Sequence, residues 1–175
     1  IAGDEFVICG GSWSPRLARE LGLRLPLQAG KGYSLTIPHP SQKPSRPMIL
    51  MEARVAVSPL GAALRIGGTM EIAGLEERVN PARIRGIMKS LPKYFAEFPM
   101  SDFDGVQPWY GFRPVSPDGM PYIGRFAKYG NLLAATGHAM IGVSLAPITG
   151  KLISEVIEGE TPSIPLDQLS PDRFA

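Results

Sequence analysis

The sequence has one cysteine, Cys9, and two histidines, His39 and His138, in 175 residues. One cysteine excludes an internal disulfide and any cysteine-rich metal centre, and it suits a reducing compartment. The histidines lie far apart without a ligand-like spacing, so no protein-built metal site is expected. Net charge carries little signal: 18 Lys and Arg against 16 Asp and Glu leave +2. The basic residues are scattered, so nucleic acid is not an expected partner. No apolar run reaches membrane-spanning length, and no charged, apolar leader opens the chain. There is no initiator methionine. "DEFVICGG" reads as a strand already running into a glycine turn, as expected for part of a longer chain. The expected location is cytoplasmic, or peripheral at the inner face of the cytoplasmic membrane.

Glycine and proline are plentiful, at 20 and 18 residues, so turns are frequent and strands and loops should outweigh helix. At 44% hydrophobic the chain can bury a core of one domain or one and a half. "EFVICGG" is a short apolar strand ending in glycines. "SWSPRLARELG" follows as a short helix with Ser12 or Ser14 as cap, Pro15 in the first turn and Gly22 at the end. "LQAGKGYSLTIP", "PMILMEARVAVSP" and "AALRIGGTMEIAG" read as strands of a mostly antiparallel sheet. "NPARIRGIMKSLPKYF" is a helix capped by Asn80, with Pro81 in its first position and Pro92 bending or ending it. Leu132–Ala135 reads as a buried strand, 137–142 as a loop, and a helix follows from about Ser144 to Gly159.

Strand, glycine loop, helix therefore occurs at both ends, the grammar of a nucleotide-binding α/β unit. A helix N-terminus offers free N–H groups and partial positive charge, and glycines let a flat or anionic group approach the backbone. Simple chain reversal uses the same pattern.

Four blocks in order resemble the FAD-dependent D-amino-acid oxidase and dehydrogenase superfamily: "VICGGSWS", "GKGYSLT" with "LRIGGTMEIAG", "YGFRPVSPDGMPYIG", and "NLLAATGHAMIGVSLAPITGKLISEVI". The second and third look most like bacterial D-amino-acid dehydrogenases. The family's G-x-G-x-x-G fingerprint is absent, so the resemblance implies the C-terminal part of a two-domain FAD-dependent oxidoreductase of mixed α+β (α/β) class. On this reading 1–25 belong to the FAD-binding domain and 26–104 form a substrate domain with a mostly antiparallel sheet and a helix. Residues 105–175 return to the FAD-binding domain. The implied partner is the N-terminal FAD-binding half, and the implied cofactor is FAD.

The resemblance also implies site residues. Gly10 and Gly11 match strand-end glycines beside the cofactor. Gly137, His138, Ala139, Met140, Ile141, Gly142, Val143 and Ser144 match the loop along the isoalloxazine end, with backbone N–H groups facing the pyrimidine ring. Arg113 matches the arginine that clamps the substrate carboxylate. Glycine oxidases carry a second arginine where this chain has Met140, so Tyr33 or Tyr110 is the implied second donor. Met70 is implied to face the pocket, with core packing the alternative. Hydride transfer from a neutral amine needs no base, so no catalytic side chain is implied. The implied reaction is dehydrogenation of a D-amino acid or cyclic imino acid of the D-proline type. A respiratory quinone or oxygen would be the acceptor. A glycine- or sarcosine-type amine oxidase using oxygen, and a non-catalytic binding module, remain the alternatives.

Overall fold

A computed structural model describes residues 2–96 and 98–175. It contains eight strands and three α-helices among the described residues. In chain order these are β1 (Phe6–Ile8), α1 (Ser14–Glu20), β2 (Gln28–Ile37), β3 (Met48–Leu50), β4 (Val55–Leu60), β5 (Ala63–Ile72), α2 (Pro81–Ser90), β6 (Trp109–Val115), β7 (Tyr122–Arg125), β8 (Leu132–Thr136) and α3 (Gly142–Glu158). The chain divides into two compact units, Ile1–Gly30 with Arg113–Ala175, and Lys31–Phe112. No helix among the described residues is long and apolar enough to cross a membrane.

The first unit is a three-layer piece. Its sheet runs β1-β8-β7, with β1 and β8 parallel and β7 antiparallel to β8. Alternation along the strands divides the side chains between two faces. Ile8, Leu132, Ala134 and Tyr122 join Ala18 of α1 and Leu25 in one buried cluster. Ile123 joins Leu152 of α3 and Leu169 in another. Neither Ser12 nor Ser14 caps α1. The N-cap is Trp13, with no side-chain cap. Ser14 instead donates from Oγ to Thr136 Oγ1 at 3.2 Å, and Thr136 Oγ1 reaches Gly11 O at 3.3 Å. Burial between α1 and β8 gives these hydroxyls each other as partners in place of helix N–H groups.

The second unit is built on a sheet in the order β3-β4-β5-β2-β6, and β4 pairs antiparallel with both β3 and β5. None of β2, β4 and β5 joins the sheet of β8. Helix α2 begins as its sequence requires: Asn80 accepts from Ala82 N at 3.1 Å and Pro81 opens the helix. Ile87 shares one buried cluster with Val55, Val57, Leu64 and Ile66, with Ile84 and Met88 at its margin.

Lys31, only 1% exposed, pins the segment between β5 and α2. Its Nζ donates to the carbonyls of Glu76 and Arg78 at 2.8 Å each and lies 3.6 Å from Glu71. Glu71 also accepts from Tyr33 Oη and from Asn80 Nδ2. Those hydrogen bonds, Tyr33's foremost, hold its carboxyl below the usual range in spite of burial. Lys31→Ala should strip two carbonyls and the half-buried Glu71 carboxylate of their cation. The expected cost is about 3–5 kcal/mol in urea unfolding. A loss below about 1 kcal/mol would show that the segment is held by other means.

Candidate functional site

The two glycine loops of the first unit meet at one place. β1 and β8 are adjacent and parallel, so Gly10–Gly11 and Gly137 both leave the sheet at its carboxyl end, where open α/β sheets hold ligands. The Ser14–Thr136–Gly11 hydroxyl chain ties the two exits together. Gly11 and Gly137 have φ of 54° and 85°, values that favour glycine. A Cβ on Gly137 would come within 3.1 Å of Tyr122 and 3.3 Å of Leu27, so the loop passes directly over the core.

After Gly137 the chain turns sharply. Ala139 has a φ of 47°, left-handed for a residue with a side chain. Its N–H donates to Pro114 O at 3.0 Å, and Val115 pairs with His138 across an isolated bridge. The end of β6 and the loop are thus held together by backbone. Helix α3 starts at Gly142, two residues earlier than expected, because Ile141 N closes on His138 O and Ile141 O already receives Leu145 N. No side chain caps this N-terminus, so the N–H groups of its first turn remain donors. Met140, Ile141 and Val143 are 71%, 54% and 94% exposed. His138 turns inward, with Nε2 2.9 Å from Thr149 Oγ1, and burial pushes its pKa down. Positive-φ backbone, side-chain-free glycines and an uncapped helix start suit a flat heterocycle with hydrogen-bond acceptors on its edge, as the implied FAD would present.

In the second unit β5 breaks step. A Cβ on Gly67 would meet Ser34 at 3.5 Å, whereas one on Gly68 would meet Arg54 O at 3.0 Å and Ile87 of α2 at 3.5 Å. Thr69 has a φ of 62°, and its Oγ1 receives Arg83 Nη1 of α2 at 3.3 Å. Gly68 and Thr69 therefore both face α2, a bulge that returns Met70 to the face of Gly67. Met70 is 36% exposed on that face. The Gly67-Gly68 doublet was the available sequence signal for such a bulge.

Tyr33 does not reach a ligand surface. It is 1% exposed, its only hydroxyl proton goes to Glu71, and the oxygen receives Asn80 N at 3.3 Å. With that proton engaged it has nothing to donate to a carboxylate. Tyr110 is also turned to the core, beside Lys31 Nζ at 5.8 Å and edge-on to Phe112. Gly111 lies on the other face, where a Cβ would strike the Trp109 ring at 2.4 Å. Strand alternation thus sets the Tyr110 ring on the core face and Gly111 on the opposite one. Sequence reading missed Trp109, a 60% exposed ring lying over Gly111 with the Arg65 guanidinium 5.4 Å from its centroid. Its signal was a tryptophan two residues before a strand glycine.

The FAD dependent oxidoreductase family, DAO, matches residues 2–156. The D-amino acid dehydrogenase of Paramagnetospirillum magneticum is 37% identical over 177 residues, covering 99% of this chain and 41% of that protein. The D-amino-acid oxidase of Bradyrhizobium diazoefficiens is 34% identical over 175 residues, covering 99% of this chain and 42% of that one. Among solved structures, glycine oxidase from Geobacillus kaustophilus superposes with a TM-score of 0.85 at 24% identity, over 100% of this chain and 47% of that one. This last likeness is one of fold. The chain spans about two fifths of the length of the curated relatives it matches.

His138 gives the loop a pH signature. Its folded pKa lies below the ordinary value of about 6.5, so the unfolded chain takes up the proton first. Its contribution to stability is complete above that value and declines as pH falls through it towards the folded pKa. His138→Gln should flatten the fall in urea stability between about pH 7 and 5. An unchanged pH profile would place the acid sensitivity elsewhere.

Proposed function

As the chain belongs to the FAD dependent oxidoreductase family, we propose that it forms the substrate lobe and the flavin-closing loop of an enzyme that dehydrogenates a D-amino acid. A cyclic imino acid of the D-proline type falls in the same class. The observation that carries this reading is the backbone pairing of Pro114 and Val115 with Ala139 and His138. It fixes the strand that carries Arg113 beside the loop that the family resemblance assigns to the flavin. The unit Ile1–Gly30 with Arg113–Ala175 is then the closing part of the FAD domain, and Lys31–Phe112 is the substrate domain. Similarity to a protein named D-amino acid dehydrogenase over 99% of the chain supports the substrate class.

FAD, when bound, supplies the acceptor for the two electrons and the α-hydrogen. The chain's own residues bind and orient. The Arg113 guanidinium forks onto the substrate carboxylate with two parallel hydrogen bonds, fixing direction as well as charge. The amine enters neutral, so no side chain is required to remove a proton at carbon. As the α-hydrogen departs with two electrons the C–N bond becomes C=N, and one N–H proton passes to water to leave the imine. Water converts an open-chain imine to the keto acid with release of ammonia. The donors in the first turn of α3, with the backbone of Gly10, Gly11 and 137–141, would hold the cofactor's pyrimidine end and favour negative charge there. Met140, Ile141 and Val143, exposed on this chain, would keep water from that surface, and Met70 would give an apolar substrate side chain its wall. A respiratory quinone, another carrier or oxygen would reoxidise the cofactor.

In the complete enzyme, Arg113→Ala should weaken transition-state stabilisation by roughly 3–5 kcal/mol. Arg113→Lys should restore only part, since an ammonium cannot fork onto both oxygens. Bound flavin should be unchanged. The check is kcat/KM for a D-amino acid against the matching amine without a carboxylate, where the acid should suffer far more. Equal losses, or loss of FAD, would remove Arg113 from the site.

A further inference from the structure

We infer that Arg173, near the carboxyl end of the chain, is a positioning residue for the loop 137–141 and the adjoining end of β6. The inference rests on the reading of that loop as the flavin-facing one. Every residue concerned belongs to the first unit.

Arg173 is 10% exposed, and all five of its N–H groups are engaged. Nε and Nη2 fork onto Asp118 at 2.8 and 2.9 Å. Nη2 also donates to Met120 O at 2.7 Å, and Nη1 donates to Pro121 O at 3.2 Å and Ser170 O at 3.0 Å. The guanidinium carbon lies 3.9 Å from the centre of the Tyr122 ring, with Phe174 at 5.1 Å. Nearly all of this bonding goes to one turn and one ring.

Both lead to the loop. Asp118 receives Met120 N at 3.0 Å, and Ser116 Oγ donates to Met120 O at 2.7 Å, so the turn 116–120 is closed on itself and locked to Arg173. That turn begins directly after Val115, which pairs with His138. The Arg173 side chain, Asp118 fork hydrogen bonds foremost, keeps the Asp118 carboxyl far below the usual range, so the lock stays charged. The second route is shorter. Tyr122 is fully buried, anchored by its hydroxyl on Pro26 O at 2.8 Å, and is the closest surface beneath Gly137. Arg173 stacks on that ring. Shifting Tyr122 by a few tenths of an ångström must shift Gly137, because a close-packed core transmits displacement.

The test uses the full-length FAD-loaded protein and four variants: Gly137→Ala, Arg173→Gln, Arg173→Lys and Asp118→Asn. The readouts are FAD dissociation constant, flavin reduction potential, KM against kcat, and Tm. Gly137→Ala disturbs the loop directly and sets the scale. Arg173→Gln should weaken FAD binding about tenfold and move the potential in the same direction as Gly137→Ala. Arg173→Lys should recover part of both, because an ammonium keeps its charge over Tyr122 but loses the fork. Asp118→Asn should give a smaller change of the same sign. A lowered Tm with unchanged FAD affinity and potential in the Arg173 variants, while Gly137→Ala alters both, would make Arg173 a structural pin and overturn the inference alone. If Gly137→Ala also alters neither, the loop does not face the flavin, and the inference falls with that reading. Should Arg173→Gln fail to fold, Arg173→Lys and Asp118→Asn carry the same comparison.

Discussion

The pairing of the end of β6 with the loop after β8 is the contact on which the arrangement of the site depends. It is made of backbone: Pro114 accepts from Ala139, and Val115 faces His138. Proline cannot donate to a ladder, but its carbonyl is free to accept, which is the role it has here. Ala139 adopts a left-handed backbone that costs of order 1 kcal/mol or more in a residue with a side chain. The bond from its N–H to Pro114 and the next turn, Ile141 to His138, hold it there. With the loop so bent, α3 begins immediately, and the donors of its first turn lie beside the strand bearing Arg113. A side-chain contact in this place would be soft; a backbone one fixes both partners by their covalent chains.

The second unit solves a different problem with the same means. Its sheet buries Tyr33, Leu35, Ile37, Leu64 and Ile66 on one face. The other face is floored by small residues, Ser34, Gly67 and Gly111, and carries Trp109, Arg65 and Met70. Strict alternation from Leu64 and Ile66 would send Met70 towards α2. The left-handed Thr69 inserts one residue and reverses that assignment. Lys31 and Glu71 then hold the rest of the strand and the segment that follows.

Much of this was legible in the sequence because it follows from local chemistry. Asn80-Pro81 starts α2 because a side-chain acceptor and a preset φ suffice, whatever lies beyond. The strand Leu132–Thr136, its glycine loop and α3 follow from an apolar run and two glycines, with the helix start two residues earlier than expected because a backbone turn begins it. What the sequence left hidden depended on distant partners. Ser14 could cap or bond Thr136, and only the packing of α1 on β8 decides. Tyr33 reads as a hydroxyl available to a ligand until Glu71 and Asn80 are brought to it from other elements. Arg173 lay outside every motif, since its partner Asp118 is 55 residues away.

The Thr69 bulge has a consequence for any attempt to harden this protein. A β-branched residue held left-handed stores strain of order 1–3 kcal/mol, which glycine or asparagine at the same place would relieve. Selection for heat resistance alone should therefore find position 69 early. The threonine hydroxyl, however, is what Arg83 of α2 grips. A variant that relaxes the backbone also lets go of that grip and allows β5 to slide back into even step, turning Met70 inward. The strained residue acts as a register stop, and a sturdier protein would be obtained at the expense of a rearranged sheet face.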